Sequence, residues 1–208
     1  MSTLVNLLIV MPIYVLAIVI HEVSHGWVAN RLGDPTAKHL GRLSLNPLRH
    51  IDPLGTVALP LLLTLTGSPV VFGWAKPVPI DYRRLGDPKR DLIWVGLAGP
   101  AANVLLALLM TAAMHVAAIP PHSWLGMIGF SVILMNLVLA VFNLIPIPPL
   151  DGSRVLVGLL PYRFARWMAM IEPFGFLILI GLLYVGLIDR LIWPVVVRVL
   201  RVLGMAGP

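Results

Sequence analysis

The chain has 208 residues, 59% hydrophobic and 12% charged, with mean hydropathy +0.94. This balance excludes an ordinary soluble domain and predicts an all-α polytopic membrane protein whose medium is the lipid bilayer. The absence of cysteine excludes disulfides and thiolate metal sites, and the net charge of +6 marks membrane-flanking loops rather than a nucleic-acid surface, so no nucleic-acid partner is expected.

Four segments are long and apolar enough to span a bilayer as helices, at roughly 4–30, 92–118, 125–147 and 171–189. A shorter run, 54–71, carries Pro60, Gly67 and Pro69, and a final stretch, 191–203, is apolar apart from Arg198 and Arg201. The count is therefore four to six transmembrane helices in a single integral-membrane domain, 1–208, with a core at 4–156 and C-terminal helices at 171–203. Residues 1–20 lack a charged n-region and an A-x-A-like site, so the first segment is expected to stay in the mature protein.

Lysine and arginine set the orientation. Arg31, Lys38, Arg42 and Arg49 follow the first segment, Lys76, Arg83, Arg84, Lys89 and Arg90 precede the second, and Arg154, Arg163 and Arg166 follow the third. Residues 1–12 and the turn at 119–124 carry none. The positive-inside rule then predicts a multi-pass protein of the cytoplasmic membrane with its N-terminus outside. A crossing at 54–71 would place one basic flank on the wrong side. A re-entrant or β-hairpin element at the membrane edge, continuing into strand-like 70–81, fits the charges better.

Two histidines and a glutamate interrupt the first apolar run, in "HEVSH" (21–25). On a helix His21 and His25 share one face, a turn apart, where both imidazoles can reach one Zn²⁺. Glu22 flanks that face and is suited to act as a base toward water activated there. This is the H-E-x-x-H pattern of helix-borne zinc hydrolases. Apart from boundary residues such as Asp91, Glu172 and Asp189, the carboxylates within or just past the four spanning segments are Glu22 and Asp151. The charge count brings Asp151 to a depth similar to that of the histidines, which makes it the candidate third ligand for one Zn²⁺ per chain, with the fourth position open. Asp151 lies in "NLIPIPPLDG" (143–152), where Pro146, Pro148 and Pro149 break the third span. Asn143, just before the break, can donate to a carbonyl or an oxyanion, or can bridge helices.

The pairing of HEVSH with NLIPIPPLDG resembles the site-2 protease family of intramembrane zinc metalloproteases. "NPLRHIDPLGT" (46–56), "FGWAKPVPI" (72–80) and "GLAGPAANVLLAL" (96–108) resemble its compact prokaryotic branch. The resemblance implies a zinc metalloendopeptidase with His21, His25 and Asp151 as metal ligands, Glu22 as general base and Asn143 assisting near the scissile carbonyl. It also implies cleavage of single-span membrane proteins or signal-peptide-like substrates near the cytoplasmic side. A metal transporter would be expected to carry ligands at several depths, and an inactive scaffold to lack Glu22 or a ligand.

Other polar residues read more plainly. His50 and Asp52 sit between Pro47 and Pro53, where turn and capping roles are expected. Gly96, Gly99 and Ala102 suit close helix packing, and Asn103 on the same segment either lines the site or bridges helices, with the bridge favoured. His39, His115 and His122 have no partners at useful spacing. Trp74, Trp94, Trp124, Trp167 and Trp193 read as interfacial anchors, and Glu172 as an acid at the start of the fourth span.

Overall fold

A computed structural model of the chain describes residues 3–66, 75–186 and 188–205. Among these it contains helices and loops and no strand. Helix α1 (Thr3–Arg31) is followed by the single turn α2 (Thr36–His39). A wide turn over Pro53–Ala58 leads into α3 (Leu59–Leu65). Then come α4 (Pro88–Val116), α5 (Trp124–Asn143), α6 (Asp151–Leu159), α7 (Tyr162–Ile171), α8 (Gly175–Tyr184) and α9 (Trp193–Val202). Four helical stretches have the length and apolarity to cross a membrane: Val10–Arg31, Pro88–Val116, Trp124–Asn143 and Tyr162–Tyr184.

The sequence explains where these elements start and stop. Asp87 caps α4 by accepting from the Arg90 amide, with Pro88 in the first turn where a missing N–H is harmless. Ser123 caps α5 through the Gly126 amide. Helix α5 ends at Asn143, earlier than the expected 147, because Pro146 disfavours helical backbone at the residue before it. The fourth crossing lies earlier than the expected 171–189. Arg163 and Arg166 mark a cytoplasmic flank by charge, yet they ride on α7, and a turn at Glu172–Phe174 joins α7 to α8. Glu172 therefore lies inside that crossing rather than at its start. The apolar helix at Pro53–Leu65 has 13 residues, about 20 Å at 1.5 Å per residue. That is short of the ~30 Å hydrocarbon core and agrees with an element at the membrane edge. Residues 67–74, including Trp74, lie outside the described residues.

Helix α4 is the central post, packed against α1, α5 and α6. One apolar cluster joins Ala107 and Met114 of α4 to Ile133 and Leu137 of α5, Leu179 of α8, and Val196 and Leu200 of α9. A smaller one joins Ala29, Leu85 and Val95, with Tyr82 against it. The groups that matter for chemistry lie where α1, α4 and α6 meet.

Residues 75–81 run beside α1 without helix or strand, held by polar groups. The Lys76 amide donates to the His50 carbonyl (2.8 Å), and the Arg42 guanidinium donates to the carbonyls of Lys76 (2.8 Å) and Pro77 (3.3 Å). Asp34, fully buried, accepts from the Asp81 amide (2.7 Å) and from Thr36. Pro77 and Pro79 have no N–H to offer, and the amides of Lys76, Val78 and Asp81 are already engaged. This stretch therefore has few donors left for a two-way ladder with a second strand. Asp52 caps the Pro53–Ala58 turn through the Leu54 and Gly55 amides, and His50 bonds the Ser44 carbonyl; both serve the local fold.

Candidate metal centre

His21 and His25 are buried on one face of α1, with ring centroids 4.7 Å apart and ring planes at 80°. The loop after α5 brings Asp151, the first residue of α6, onto the same point. Asp151 Oδ2 lies 3.0 Å from His21 Nε2 and 3.1 Å from His25 Nε2, and the two Nε2 atoms are 3.1 Å apart. Residues 126 and 130 positions apart in the chain thus converge on one oxygen.

The outer nitrogens fix the protonation of the inner ones. His25 Nδ1 lies 2.6 Å from the Val95 carbonyl, which can only accept. His21 Nδ1 lies 2.6 Å from Asn103 Oδ1. The orientation of that amide follows from a chain of donors: Asn136 Nδ2 donates to the Val132 carbonyl, so Asn136 Oδ1 accepts from Asn103 Nδ2, which also donates to the Ala17 carbonyl. Asn103 Oδ1 is left facing His21, and both histidines carry their proton on Nδ1. Two bare Nε2 lone pairs and a carboxylate oxygen then face one another about 3 Å apart. Three acceptors so close repel unless a proton or a metal cation lies among them. A tetrahedral site with ligands at about 2.0–2.1 Å has edges of roughly 3.4 Å, so the trio needs to open only slightly to hold zinc. The residues fit the metal.

Space for this group comes from α4. A Cβ added at Gly99 would stand 2.4 Å from His25 Nε2 and 2.6 Å from His21 Nε2. Gly99 is thus the wall of the site, a stronger constraint than the helix packing read from its spacing. Asn103, favoured in sequence as a bridge between helices, both bridges α4 to α5 and orients His21, one of the three residues placed to hold a metal. Asn136 carries the same network and had no local signal in sequence beyond being an amide in an apolar helix. Replacing Asn103 by Leu leaves the His21 N–H without an acceptor, a loss of about 1–3 kcal/mol. Zinc affinity is expected to fall about 10–100-fold in a chelator-competition titration.

Glu22 faces the loop side of α1, half-buried, and Oε2 accepts from the Val78 amide at 2.8 Å. Gly26 permits this approach, since a Cβ there would lie 2.6 Å from Val78 Cγ1. Asn143, at the end of α5, donates to the Leu139 carbonyl of its own helix (3.0 Å) and makes no hydrogen bond to the His21–His25–Asp151 group. Arg154, not singled out in sequence beyond its charge, donates to the second Asp151 oxygen at 3.0 Å. Nearby, burial pushes the Tyr82 phenol above its ordinary pKa, against the pull of Arg154. His115 bonds the Thr111 carbonyl within α4, away from the centre.

Among the described residues this is the one group of three metal-ligating side chains in reach of a common ion. In a chain with four stretches long and apolar enough to cross a membrane, it defines a multi-pass zinc metalloprotein. No family model and no solved structure matches the chain. Among curated proteins it is 35% identical to "Putative zinc metalloprotease YwhC" of Bacillus subtilis over 200 residues, 88% of this chain and 85% of the relative. It is 32% identical to a zinc metalloprotease of Mycolicibacterium smegmatis with the same descriptor, Rip2, covering 85% of this chain and 67% of that one. MJ0611 of Methanocaldococcus jannaschii, described likewise, is 45% identical over 65 residues, 30% of this chain and 31% of its own. With the metal group in place, these relatives make the protein a zinc metalloprotease. The chain belongs to the site-2 protease family.

Proposed function

We propose that this zinc metalloprotease is an intramembrane endopeptidase of the cytoplasmic membrane. Its substrates would be single-span or signal-peptide-like segments, cut near the inner face. The observation that carries this reading is the depth of the metal group. His25 and His21 precede Arg31, the basic end of α1, by six and ten residues, or about 9 and 15 Å along the helix. This spacing supports a metal group within the lipid layer, on the side that the lysines and arginines assign to the cytoplasm.

Zinc, when bound, supplies a Lewis acid that lowers the pKa of water and polarises a peptide carbonyl. His21, His25 and Asp151 hold it, and the Asn103 and Val95 carbonyl contacts keep both imidazoles in the ligating tautomer. Glu22 takes the proton of the attacking water on a carboxylate oxygen and returns it to the leaving amine. The Val78 amide holds one of its oxygens in place. Asn143 Nδ2, resting on the Leu139 carbonyl, is the donor for the substrate carbonyl oxygen. A substrate helix hides its carbonyls, so it must unwind locally before this machinery can reach them.

The test is cleavage of a single-span substrate by purified protein in liposomes, with the cut mapped by fragment masses. A cut in the cytoplasmic half of the span is expected. Cleavage confined to soluble peptides, by protein holding one zinc per chain, would overturn the reading. The chain has no cysteine, so single cysteines report topology cleanly. In intact cells an impermeant maleimide should label His122→Cys and leave Arg83→Cys untouched; the reverse pattern would turn the assigned orientation over.

A further inference from the structure

Only one oxygen of Asp151 faces the histidines. Oδ2 makes both histidine contacts, while Oδ1 accepts from Nη1 of Arg154, three residues on, at 3.0 Å. Arg154 is braced on its far side. Its guanidinium lies 6.0 Å from the Tyr82 ring centroid, and Tyr82 packs against the Ala29, Leu85 and Val95 cluster. Helix α6 lies close against α4. A Cβ on Gly96 of α4 would stand 3.1 Å from the Asp151 carbonyl oxygen and 3.3 Å from Arg154 Cβ, and one on Gly158 would stand 2.8 Å from the Lys89 carbonyl.

A carboxylate beside a dication can give it one oxygen or two, and zinc accepts five ligands as well as four. A guanidinium does not lose its proton, and its charge-assisted hydrogen bond takes up one lone pair of Oδ1 and draws charge away from a second bond to the metal. We propose that Arg154 is a positioning residue that keeps Asp151 a one-oxygen ligand, so that the fourth position stays open for water. The inference rests on the metal-ligand assignment and not on the choice of substrate.

The experiment uses the full chain in detergent with Co²⁺ in place of zinc, read by visible absorption, and the zinc form read by X-ray absorption at the metal edge. Wild type should give the intense spectrum of a four-coordinate site. Arg154→Gln should give the weaker spectrum of a five-coordinate site, with an added oxygen in the first shell and peptidase kcat about tenfold lower or more. Arg154→Lys, whose ammonium can reach the same oxygen, should recover the four-coordinate spectrum. Identical spectra for wild type and Arg154→Gln would overturn the proposal, as would a five-coordinate wild type. Should Arg154→Gln take up no metal, the Lys variant decides: a four-coordinate spectrum supports the role and a five-coordinate one refutes it. An Arg154-dependent four-coordinate site in a protein that cuts no membrane substrate would sink the proposed function and leave this inference standing.

Discussion

Glu22→Gln is expected to lower peptidase kcat by about 10²–10⁴-fold, the usual range for loss of a positioned general base, while zinc content stays at one per chain. The separation of the two readouts follows from the geometry. Glu22 is absent from the set of atoms that meet at Asp151 Oδ2; its contact is with the Val78 amide. Gln keeps a carbonyl oxygen for that amide, so the local fold around residues 75–81 survives, but it cannot hold and return a proton. Metal analysis beside a turnover assay checks both halves. Equal turnover by wild type and variant would remove Glu22 from the role of base; loss of zinc would place it among the ligands instead.

Gly99→Ala is expected to remove metal binding altogether while leaving the helices in place. The added methyl would stand 2.4 Å from one ligating nitrogen and 2.6 Å from the other, well inside ordinary contact. Both imidazoles would have to turn, which breaks the Nδ1 bonds to Asn103 and Val95 that hold their tautomer. Alanine is a better helix residue than glycine, by about 1 kcal/mol in a helix interior. Helix α4 therefore has no local reason to unravel. Circular dichroism should be unchanged while zinc content falls to background. A Gly99→Ala protein that binds zinc as tightly as wild type would show that the helices carry more slack than the structure allows. The same change at Gly181, where an added Cβ meets nothing within 4 Å, serves as a control with no effect.

These expectations separate what was legible in the sequence from what was not. HEVSH and the distant LDG turn could be paired from sequence because ionisable groups are expensive in lipid. Few are present, and helical spacing plus a count of basic loops brings them to one depth. The crossings at α1, α4 and α5 were legible for a related reason, since long uncharged runs have no other stable home. The fourth crossing was misplaced because α7 is amphipathic, and its arginines carry the signal of a loop while its backbone is helical. Asn136, Gly99 and Arg154 were not legible as parts of a site, and Asn103 was legible only as the less favoured alternative to a helix bridge. Their roles depend on which helix faces which, and a glycine that packs a helix reads the same as one that leaves room for two imidazoles. One trace was present: Gly96, Gly99 and Asn103 recur at three- and four-residue spacing and so share the face that α4 turns toward α1 and α6.

The long span of sequence between the ligands has a consequence for biosynthesis. Asp151 follows His21 by 130 residues, so at ordinary elongation rates of about 5–20 residues per second α1 leaves the ribosome roughly ten seconds before its carboxylate partner exists. During that interval the nascent chain holds two unmatched imidazoles and no complete active centre. The three-residue group can therefore form only after synthesis has passed Asp151.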